Sequence, residues 1–442
     1  MISESVETPQ STRAITACPG CDLLVLEPAV PDGHYLACGR CGKVLSKAYE
    51  NSIHKVLALS FTGLLLYIPA MFLPLMTLSS LGIKEKSNVI ETALNFFLNG
   101  YYLVALIVFV TAVLVPFLKL FLPFVAACAL RLGKTSKPLR SAFRFLKHLE
   151  EWGMVEVYLL GILITLIKMG DVASIDFNLG FYCFIALVLI SMAATVSLDN
   201  KLFWHYLDTQ APHPGDEEIE RITARLSADP TLMQTAAQLG LKRCHDCGRL
   251  ISVSGHEEDH AQSCPRCGSA MHFRTASSVV RTWALVITSI ILFFPANMLP
   301  IMEVEFLGIP DRSTILDGIL YFLKEGSFGI GLIIFVASIL VPLFKIIGMV
   351  IILLSIRSGK KHYLRQKAKM FRFIEFIGRW SMLDIFVVAL LTVLVDFGFL
   401  TSMHTAPGAT YFCAVVVATM TAAIIFDPRI LWDRCDPLKP SR

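Results

Sequence analysis

The chain alternates between long apolar segments and polar segments. Four apolar segments fall in the first half and four in the second, at residues 53–76, 101–131, 152–169, 178–198, 280–302, 327–356, 380–398 and 408–426. Each reaches or approaches the roughly 20 residues that an α-helix needs to cross ~30 Å of hydrocarbon. The pattern predicts an all-α polytopic membrane protein with two groups of four transmembrane helices.

Matching residues recur at a fixed spacing in the two halves. A shift of 226 residues, which becomes 228 further along, relates Pro69 to Pro295, Pro74 to Pro300, Pro116 to Pro342, Lys119 to Lys345, Trp152 to Trp380 and Glu156 to Asp384. A register that holds across four apolar segments indicates a duplicated unit.

The composition supports the membrane assignment. Hydrophobic residues make up 55% of the chain and charged residues 17%, whereas soluble domains contain about 25% charged residues. The first 50 residues are polar and contain four cysteines, so we expect no cleavable signal peptide and an insertion signal in the first helix.

Lysine and arginine are concentrated between the second and third apolar segments of each half. Residues 131–147 and 357–372 carry most of this charge, while residues 79–99 and 302–325 carry little net positive charge. The positive-inside rule places the two basic loops in the cytoplasm. With four spans per half, we expect both termini, both cysteine-containing segments and the linker between the halves to be cytoplasmic. The two repeats are then parallel in topology.

Two cysteine quartets precede the two apolar groups. Both read C-x2-C-x16-C-x2-C and comprise Cys18, Cys21, Cys38 and Cys41, then Cys244, Cys247, Cys264 and Cys267. Paired knuckles at this spacing are typical of zinc ribbons, in which four thiolates complete a tetrahedron and leave no open position for catalysis. We expect two structural zinc ions. Iron in a rubredoxin-like site and a redox-active C-x2-C pair remain alternatives, and the ribbons lack the dense basic face that nucleic-acid binding requires.

These signals divide the chain into seven parts. They are a disordered tail (1–17), a zinc ribbon (18–48), a transmembrane module (53–199), a linker helix (200–243), a second ribbon (244–275), a second transmembrane module (280–427) and a tail (428–442).

Several charged side chains lie inside the apolar segments, where charge is costly and usually functional. Lys119 and Lys345 each follow a proline by one turn, and Glu156 and Asp384 lie one turn into the third segments. A lysine–acid pair in each half would offset the cost of desolvation. The alternative is that the lysines extend toward the headgroups.

The second half contains more polar residues at membrane depth. Ser338, Ser381 and Thr419 join Lys345 and Asp384 there, and the first half has Ala112 and Gly153 at the positions of Ser338 and Ser381. We predict that the second half carries the working site, although serine and threonine also serve ordinary helix contacts.

A second charged cluster lies in the first half. Lys168 and Asp171 stand three residues apart at the outer end of the third segment. They either face a cavity that is open to the periplasm or cap the end of the helix.

Sequence motifs for several enzymes are missing. The chain has no G-x4-G-K-[ST] nucleotide-binding loop, no G-x-S-x-G nucleophile elbow and no H-E-x-x-H zinc motif. We therefore expect no ATPase site and no enzymatic activity.

The quoted motifs together resemble those of the paraquat-inducible protein A family, with its LetA-type members. The similarity includes both ribbons, P-x4-P in the first segments, V-P-x2-K in the second and W-x-M-[VL]-[ED] in the third. It implies a multi-pass protein of the Gram-negative inner membrane with tetraspanin-like four-helix modules. It also implies a periplasmic MCE-domain partner that forms a tunnel, and a role in intermembrane phospholipid transport.

On this basis we expect an inner-membrane component that delivers lipid to the tunnel or receives lipid from it. The polar residues of the second half, assisted by Lys168 and Asp171, would line or support the site, and protonation of Asp384 or Glu156 could couple it to the proton gradient. Two alternatives are a proton-coupled small-solute transporter that acts alone and a membrane redox or sensor protein.

Overall fold

The structure is a computed structural model. It describes residues 14–28, 30–31, 33–47, 51–80, 83–134, 136–150, 152–169, 174–208, 216–229, 232–252, 262–306, 309–324, 326, 328–358, 363–394 and 401–433. The disordered tail predicted at 1–17 lies mainly outside these residues, as does most of the tail predicted at 428–442.

Each cysteine segment forms two short antiparallel hairpins. The first comprises β1 (Ala14–Ala17), β2 (Leu24–Glu27), β3 (Tyr35–Ala37) and β4 (Val44–Lys47), and the second comprises β8 (Leu241–Arg243), β9 (Leu250–Ser252), β10 (Gln262–Ser263) and β11 (Ala270–Met271). In both segments each knuckle lies in the turn of one hairpin. We call these segments the first and second ribbons.

The first membrane half is mainly helical. Its elements are α1 (Ser52–Phe72), β5 (Met76–Ser80), β6 (Ile83–Ser87), α2 (Val89–Leu98), α3 (Tyr102–Val108), α4 (Val115–Arg131), α5 (Lys137–Glu150), α6 (Val155–Met169), β7 (Ser174–Phe177) and α7 (Leu179–Ser197). The amphipathic helices α8 (Asn200–Leu207) and α9 (Asp216–Ala228) lead toward the second ribbon.

The second membrane half has the same order of elements. They are α10 (Ser278–Met298), β12 (Met302–Phe306), β13 (Ile309–Ser313), α11 (Ile315–Lys324), α12 (Phe328–Phe335), α13 (Val341–Ser358), α14 (Leu364–Gly378), α15 (Leu383–Leu394), β14 (Thr401–Thr405) and α16 (Pro407–Ile425), followed by α17 (Ile430–Asp433).

Six helical segments among the described residues are long and apolar enough to cross a membrane. They are Ser52–Phe72, Tyr102–Arg131, Leu179–Ser197, Ser278–Met298, Gly331–Ser358 and Pro407–Ile425. They match six of the eight predicted segments and make the protein a multi-pass membrane protein. The two predicted third segments are represented by α6, with 15 residues, and α15, with 12 residues.

Short sheets follow the first helix of each half, where sequence reasoning placed only loops. Strands β6, β5 and β7 form one three-stranded antiparallel sheet, and β13, β12 and β14 form the other. Met76 pairs with Phe177 in the first sheet, and Met302 pairs with Thr405 in the second. The description all-α is therefore wrong for these segments. We call the end of the membrane helices that carries these sheets the sheet side, and the opposite end the ribbon side.

The second apolar helix of each half contains a π-helical segment directly before a proline. The segments are Phe109–Leu114 and Val336–Leu340, and Pro116 and Pro342 follow them. Proline lacks an N–H and clashes with the carbonyl one turn earlier, so a wider turn relieves the conflict. The hydroxyl of Tyr67 donates a hydrogen bond of 2.8 Å to the carbonyl oxygen of Val113 in this region.

The two halves share one apolar core, which is centred on α6 and α15. The rings of Tyr158 and Phe386 meet edge to face with centroids 5.2 Å apart. Gly161 lies so close to Phe386 that a Cβ at this glycine would be 3.2 Å from the Cβ of Phe386. Small and aromatic residues thus join the halves at the middle of the molecule.

Each ribbon packs against the half that does not follow it in sequence. The cysteines of the first ribbon share an apolar cluster with Phe371 and Ile374 of α14 and with Trp432 of α17. The cysteines of the second ribbon share a cluster with Phe143 of α5 and Trp204 of α8. The ribbons are therefore exchanged between the two halves.

The basic segments between the second and third apolar helices are helices that form the docking faces. Both α5 and α14 bury apolar residues on one side, including Leu139, Phe143 and Leu146 in α5 and Ala368 and Phe371 in α14. These helices therefore cover the ribbons with their apolar faces and also carry positive charge.

Candidate functional site

The first cysteine quartet forms a compact buried cluster. The four sulfur atoms lie within 4.8 Å of one another, with Sγ of Cys18 at 3.4 Å from Cys41 and Sγ of Cys21 at 3.6 Å from Cys38. A disulfide would require about 2.05 Å, whereas a tetrahedron with metal–sulfur bonds of about 2.3 Å has edges of about 3.8 Å. The arrangement fits one metal ion.

The second quartet has the same geometry. Sγ of Cys244 lies 3.5 Å from Cys267, and Sγ of Cys247 lies 3.5 Å from Cys264. The backbone holds each knuckle closed, as in the 2.7 Å bond from the N–H of Gly268 to the carbonyl of Cys264. Both quartets could hold a metal ion.

The protonation of the thiols also fits a bound cation. Hydrogen bonding to Cys18, reinforced by burial, raises the pKa of Cys21 far above that of an ordinary thiol. Hydrogen bonding to Cys18 lowers the pKa of Cys41 to about 6. Four neighbouring thiols cannot all ionise together without a positive charge between them, and a metal ion supplies that charge.

The residue after the second cysteine of each knuckle has a left-handed backbone. Gly42, Gly248 and Gly268 have φ angles of 76°, 77° and 74°, and Asp22 occupies the fourth position with φ of 63°. Glycine adopts this conformation without strain, and aspartate tolerates it when its side chain is hydrogen-bonded nearby.

Asp22 is held by an ionic network that joins the two ribbons. Its carboxylate accepts bonds from Arg274 at 3.0 Å and from the N–H of Ala237 at 3.1 Å. Arg274 also binds Asp433 at 2.5 Å and 2.7 Å. Burial raises the pKa of Asp22, and Arg274 opposes this shift.

Polar contacts add to the apolar docking of both ribbons. Arg372 of α14 donates to the carbonyl of Cys41 at 2.9 Å, and the guanidinium of Arg40 lies 4.5 Å from the ring centre of Trp432. In the other half, Arg140 of α5 donates to the carbonyl of Arg266 at 3.2 Å. Helices α5 and α14 thus bind ribbon backbone groups through their arginines.

The structure brings together part of the predicted polar network of the second half. Lys345 is buried with 1% of its surface exposed, and its Nζ donates to Oγ of Ser381 at 3.3 Å. Ser338 and Thr419 are also buried, but each donates to a backbone carbonyl of its own helix, at 2.7 Å and 2.9 Å.

The equivalent lysine of the first half occupies the corresponding space. A Cβ at Gly153 would lie 2.8 Å from Nζ of Lys119, so Lys119 reaches the position where Ser381 meets Lys345. Glu156 is partly exposed, and its predicted pairing with Lys119 stays a prediction.

Three predicted site residues cannot be placed. The side chains of Asp384 and Lys168 lie outside the described part of the structure, and so does Asp171 entirely. The proposed pairing of Lys345 with Asp384 and the proposed Lys168–Asp171 cluster stay predictions.

Sequence reasoning missed the exchange of the ribbons and the network around Asp22. One signal was available for the network, since Asp22 replaces glycine at one of four equivalent knuckle positions. No sequence signal indicates that each ribbon docks on the opposite half, because that contact arises only in the folded chain.

The membrane halves match a known family. The model described as paraquat-inducible protein A matches residues 53–208 and 279–436. No solved structure matches the chain at a significant level.

Three curated relatives cover nearly the whole chain. The chain is 31% identical to "Intermembrane transport protein PqiA" of Escherichia coli (strain K12), over 94% of this chain and 95% of that protein. It is 29% identical to "Probable intermembrane transport protein" of Haemophilus influenzae, over 95% of both. It is 31% identical to "Lipophilic envelope-spanning tunnel protein A" of Escherichia coli (strain K12), over 94% of this chain and 90% of that protein.

Proposed function

Because the chain belongs to the paraquat-inducible protein A family, we propose that it is the inner-membrane component of an intermembrane phospholipid-transport system. In this proposal it delivers lipid to a periplasmic MCE-domain tunnel protein or receives lipid from it. The names of its relatives describe intermembrane transport and an envelope-spanning tunnel. These names support a role in envelope lipid transport.

The buried ammonium of Lys345 is the observation that carries a transport role within this chain. It lies inside a membrane helix with 1% of its surface exposed and one hydroxyl at 3.3 Å. A cation at membrane depth is costly to maintain, and such residues mark substrate or ion pathways. The phosphate of a passing lipid is a ligand of the right charge.

Affinity purification tests the main proposal. The chain is isolated from its native membranes in mild detergent, and bound proteins and lipids are identified by mass spectrometry. We expect an MCE-domain protein and phospholipid to be enriched over a control purification of an unrelated multi-pass inner-membrane protein. Equal recovery from both purifications would contradict the proposal.

We propose that each half crosses the membrane four times, with the ribbon side in the cytoplasm. The shared order of elements and the two separate matches to the family model support a duplicated unit. Lysine and arginine in α5 and α14 support the orientation. A cysteine added at Ser174 or Ser402 should increase labelling by a membrane-impermeant thiol reagent in intact spheroplasts, relative to the wild-type chain with its twelve cysteines. A cysteine added at Ser141 or Arg365 should increase labelling only after lysis. The reverse pattern would contradict this topology.

We further propose that both quartets hold structural zinc. Four thiolates with no open position suit zinc, and a cytoplasmic location does not favour disulfides. Elemental analysis of the purified protein should give two zinc ions per chain and no iron. Iron, or reversible loss of free thiols on oxidation, would instead support a redox role.

The remaining predicted residues complete the proposed site. Asp384 would pair with Lys345, Glu156 would support Lys119, and Lys168 with Asp171 would face the periplasm. Coupling to protonation of Asp384 or Glu156 predicts that lipid transfer slows when the proton gradient is dissipated in energised vesicles. Equal rates with and without an uncoupler would exclude that coupling and leave the lipid-transport role intact.

A further inference from the structure

A cleft separate from the buried polar network lies on the ribbon side of the second half. An open cleft of about 720 Å³ lies between α13 and α14 and is lined by Ile351, Leu354, Ser355, Arg357, Ser358 and Lys367. One part of this lining is apolar and the other is basic and hydroxyl-bearing. Such a volume falls in the range of small-molecule sites.

The polar end of the cleft presents donors that suit an oxyanion. The ammonium of Lys367 donates to Oγ of Ser355 at 2.5 Å, and the hydroxyl of Ser358 lies on the next turn, 3.3 Å from the carbonyl of Ser355. Arg357 lies beside them on α13 and is exposed. Two cations and two hydroxyls provide charge and hydrogen bonds for a phosphate group.

The apolar end of the cleft continues into the surface that faces the bilayer. Ile347, Ile351 and Leu354 leave 49%, 47% and 49% of their surfaces exposed. Their spacing of four and three residues forms one stripe along α13. This stripe leads directly to the polar end, so a molecule with a phosphate and an acyl chain matches both parts.

The first half lacks the polar end at the equivalent place. In the register of the repeat, Ala129 is equivalent to Ser355, Leu132 to Ser358 and Leu139 to Lys367. Phe143 and Phe371 confirm the alignment of α5 with α14, because they are equivalent and both are buried. The polar residues of the cleft are therefore not required for packing this pair of helices.

We infer that the cleft between α13 and α14 binds an anionic phospholipid, with the phosphate at Ser355 and Lys367 and an acyl chain along Ile351 and Leu354. The lipid would come from the cytoplasmic leaflet, an assignment that rests on the proposed orientation. Binding itself does not depend on that orientation or on transport. The site is distinct from the Lys345 cluster, which lies two to three turns nearer the sheet side on α13.

Lipid binding to the purified full-length chain tests this inference. Phosphatidylglycerol or phosphatidylcholine is titrated into the protein in detergent, and bound lipid is counted by native mass spectrometry. We expect the wild-type chain to prefer phosphatidylglycerol. Lys367→Gln should weaken phosphatidylglycerol binding about fivefold, since a basic residue at a membrane surface contributes about that factor, and Lys367→Arg should retain it.

Lys369→Gln is the matched control. It removes the same charge two residues away, on another face of α14, and its side chain is exposed. It should change binding less than twofold, and Ser355→Ala should weaken binding with no loss of thermal stability. Equal effects of Lys367→Gln and Lys369→Gln would overturn the inference, because they would show a diffuse charge effect.

Competition separates a lipid from a soluble anion. Inorganic phosphate in excess should leave phosphatidylglycerol bound, because it lacks the acyl chain. Displacement of the lipid by phosphate alone would overturn the lipid assignment. Lys367→Gln should also leave co-purification of a periplasmic partner unchanged, so failure of this inference and failure of the proposed transport role give different results.

Discussion

At the scale of single residues, Asp22 shows how one different residue changes the role of a cysteine knuckle. Three of the four equivalent positions hold glycine with a left-handed backbone, and Asp22 adopts the same conformation. Its carboxylate is buried and binds Arg274 from the other ribbon. The strain of the backbone is offset by these bonds, and the two ribbons are fixed to each other.

Replacement of Asp22 by asparagine should separate the role of its backbone conformation from the role of its contact with Arg274. Asparagine also tolerates the left-handed conformation, but it removes the charge that faces Arg274. We expect a loss of about 1–3 kcal/mol in unfolding free energy, measured by chemical denaturation in detergent, with two metal ions retained. Gly268→Asn is the control, because no other group lies within 4 Å of that glycine. Loss of metal in Asp22→Asn alone would instead assign Asp22 to the metal site.

A second prediction at this scale concerns the substitution of Lys345. Methionine has a similar length and no charge, so Lys345→Met removes the cost of burying an ammonium. Replacement of both partners of a buried ion pair by apolar groups is often neutral or stabilising by about 1–4 kcal/mol, whereas removal of one partner leaves a buried charge uncompensated. Because Asp384 is the proposed partner, we expect Lys345→Met alone to lower thermal stability and Lys345→Met with Asp384→Leu to restore it, with loss of lipid transfer in both variants. Normal transfer in either variant would show that Lys345 is only structural, and Ser381→Ala controls for the loss of its hydrogen bond.

At the scale of elements, the exchange of ribbons explains why α5 and α14 are amphipathic. Each has a buried apolar face, with Phe143 in one and Phe371 in the other, although sequence reasoning treated both segments as basic loops. Their apolar faces meet the cysteine cluster of the opposite ribbon. A small ribbon has little core of its own, so these faces complete it.

This exchange predicts which part of the molecule opens when one cysteine cluster is disrupted. Cys38→Ser should open the first ribbon and expose α14 and Trp432, which belong to the second half. We expect amide hydrogen exchange in α14 to rise by about tenfold or more, with little change in α5. Cys264→Ser should have the opposite effect and expose α5 and Trp204. Increased exchange in the half that follows the mutated ribbon in sequence would contradict the exchanged arrangement.

At the scale of the whole molecule, the features that depend on periodic and local sequence signals were predictable, and the long-range contacts were not. The six long apolar helices and both cysteine clusters follow from runs and spacings in the sequence. The strand Met76–Ser80 was missed, because a run of five residues is too short for its alternation of apolar and polar positions to stand out. The contact of Lys345 with Ser381 was anticipated as a cluster, but the docking of the first ribbon depends on residues more than 300 positions apart, such as Cys41 and Arg372.

The junction between the two halves gives a last prediction at this scale. Gly161 on α6 faces Phe386 on α15, and a Cβ there would approach the Cβ of Phe386 to 3.2 Å. Gly161→Leu should therefore force the helices apart and cost about 1–3 kcal/mol through overpacking, seen as a lower midpoint in thermal unfolding. Gly329→Leu is the control, because Gly329 is exposed on α12 with no other group within 4 Å. Leucine favours a helix over glycine by roughly 1 kcal/mol, so the control should be neutral or stabilising. An unchanged midpoint in Gly161→Leu would mean that α6 and α15 do not form the close contact on which the shared core depends.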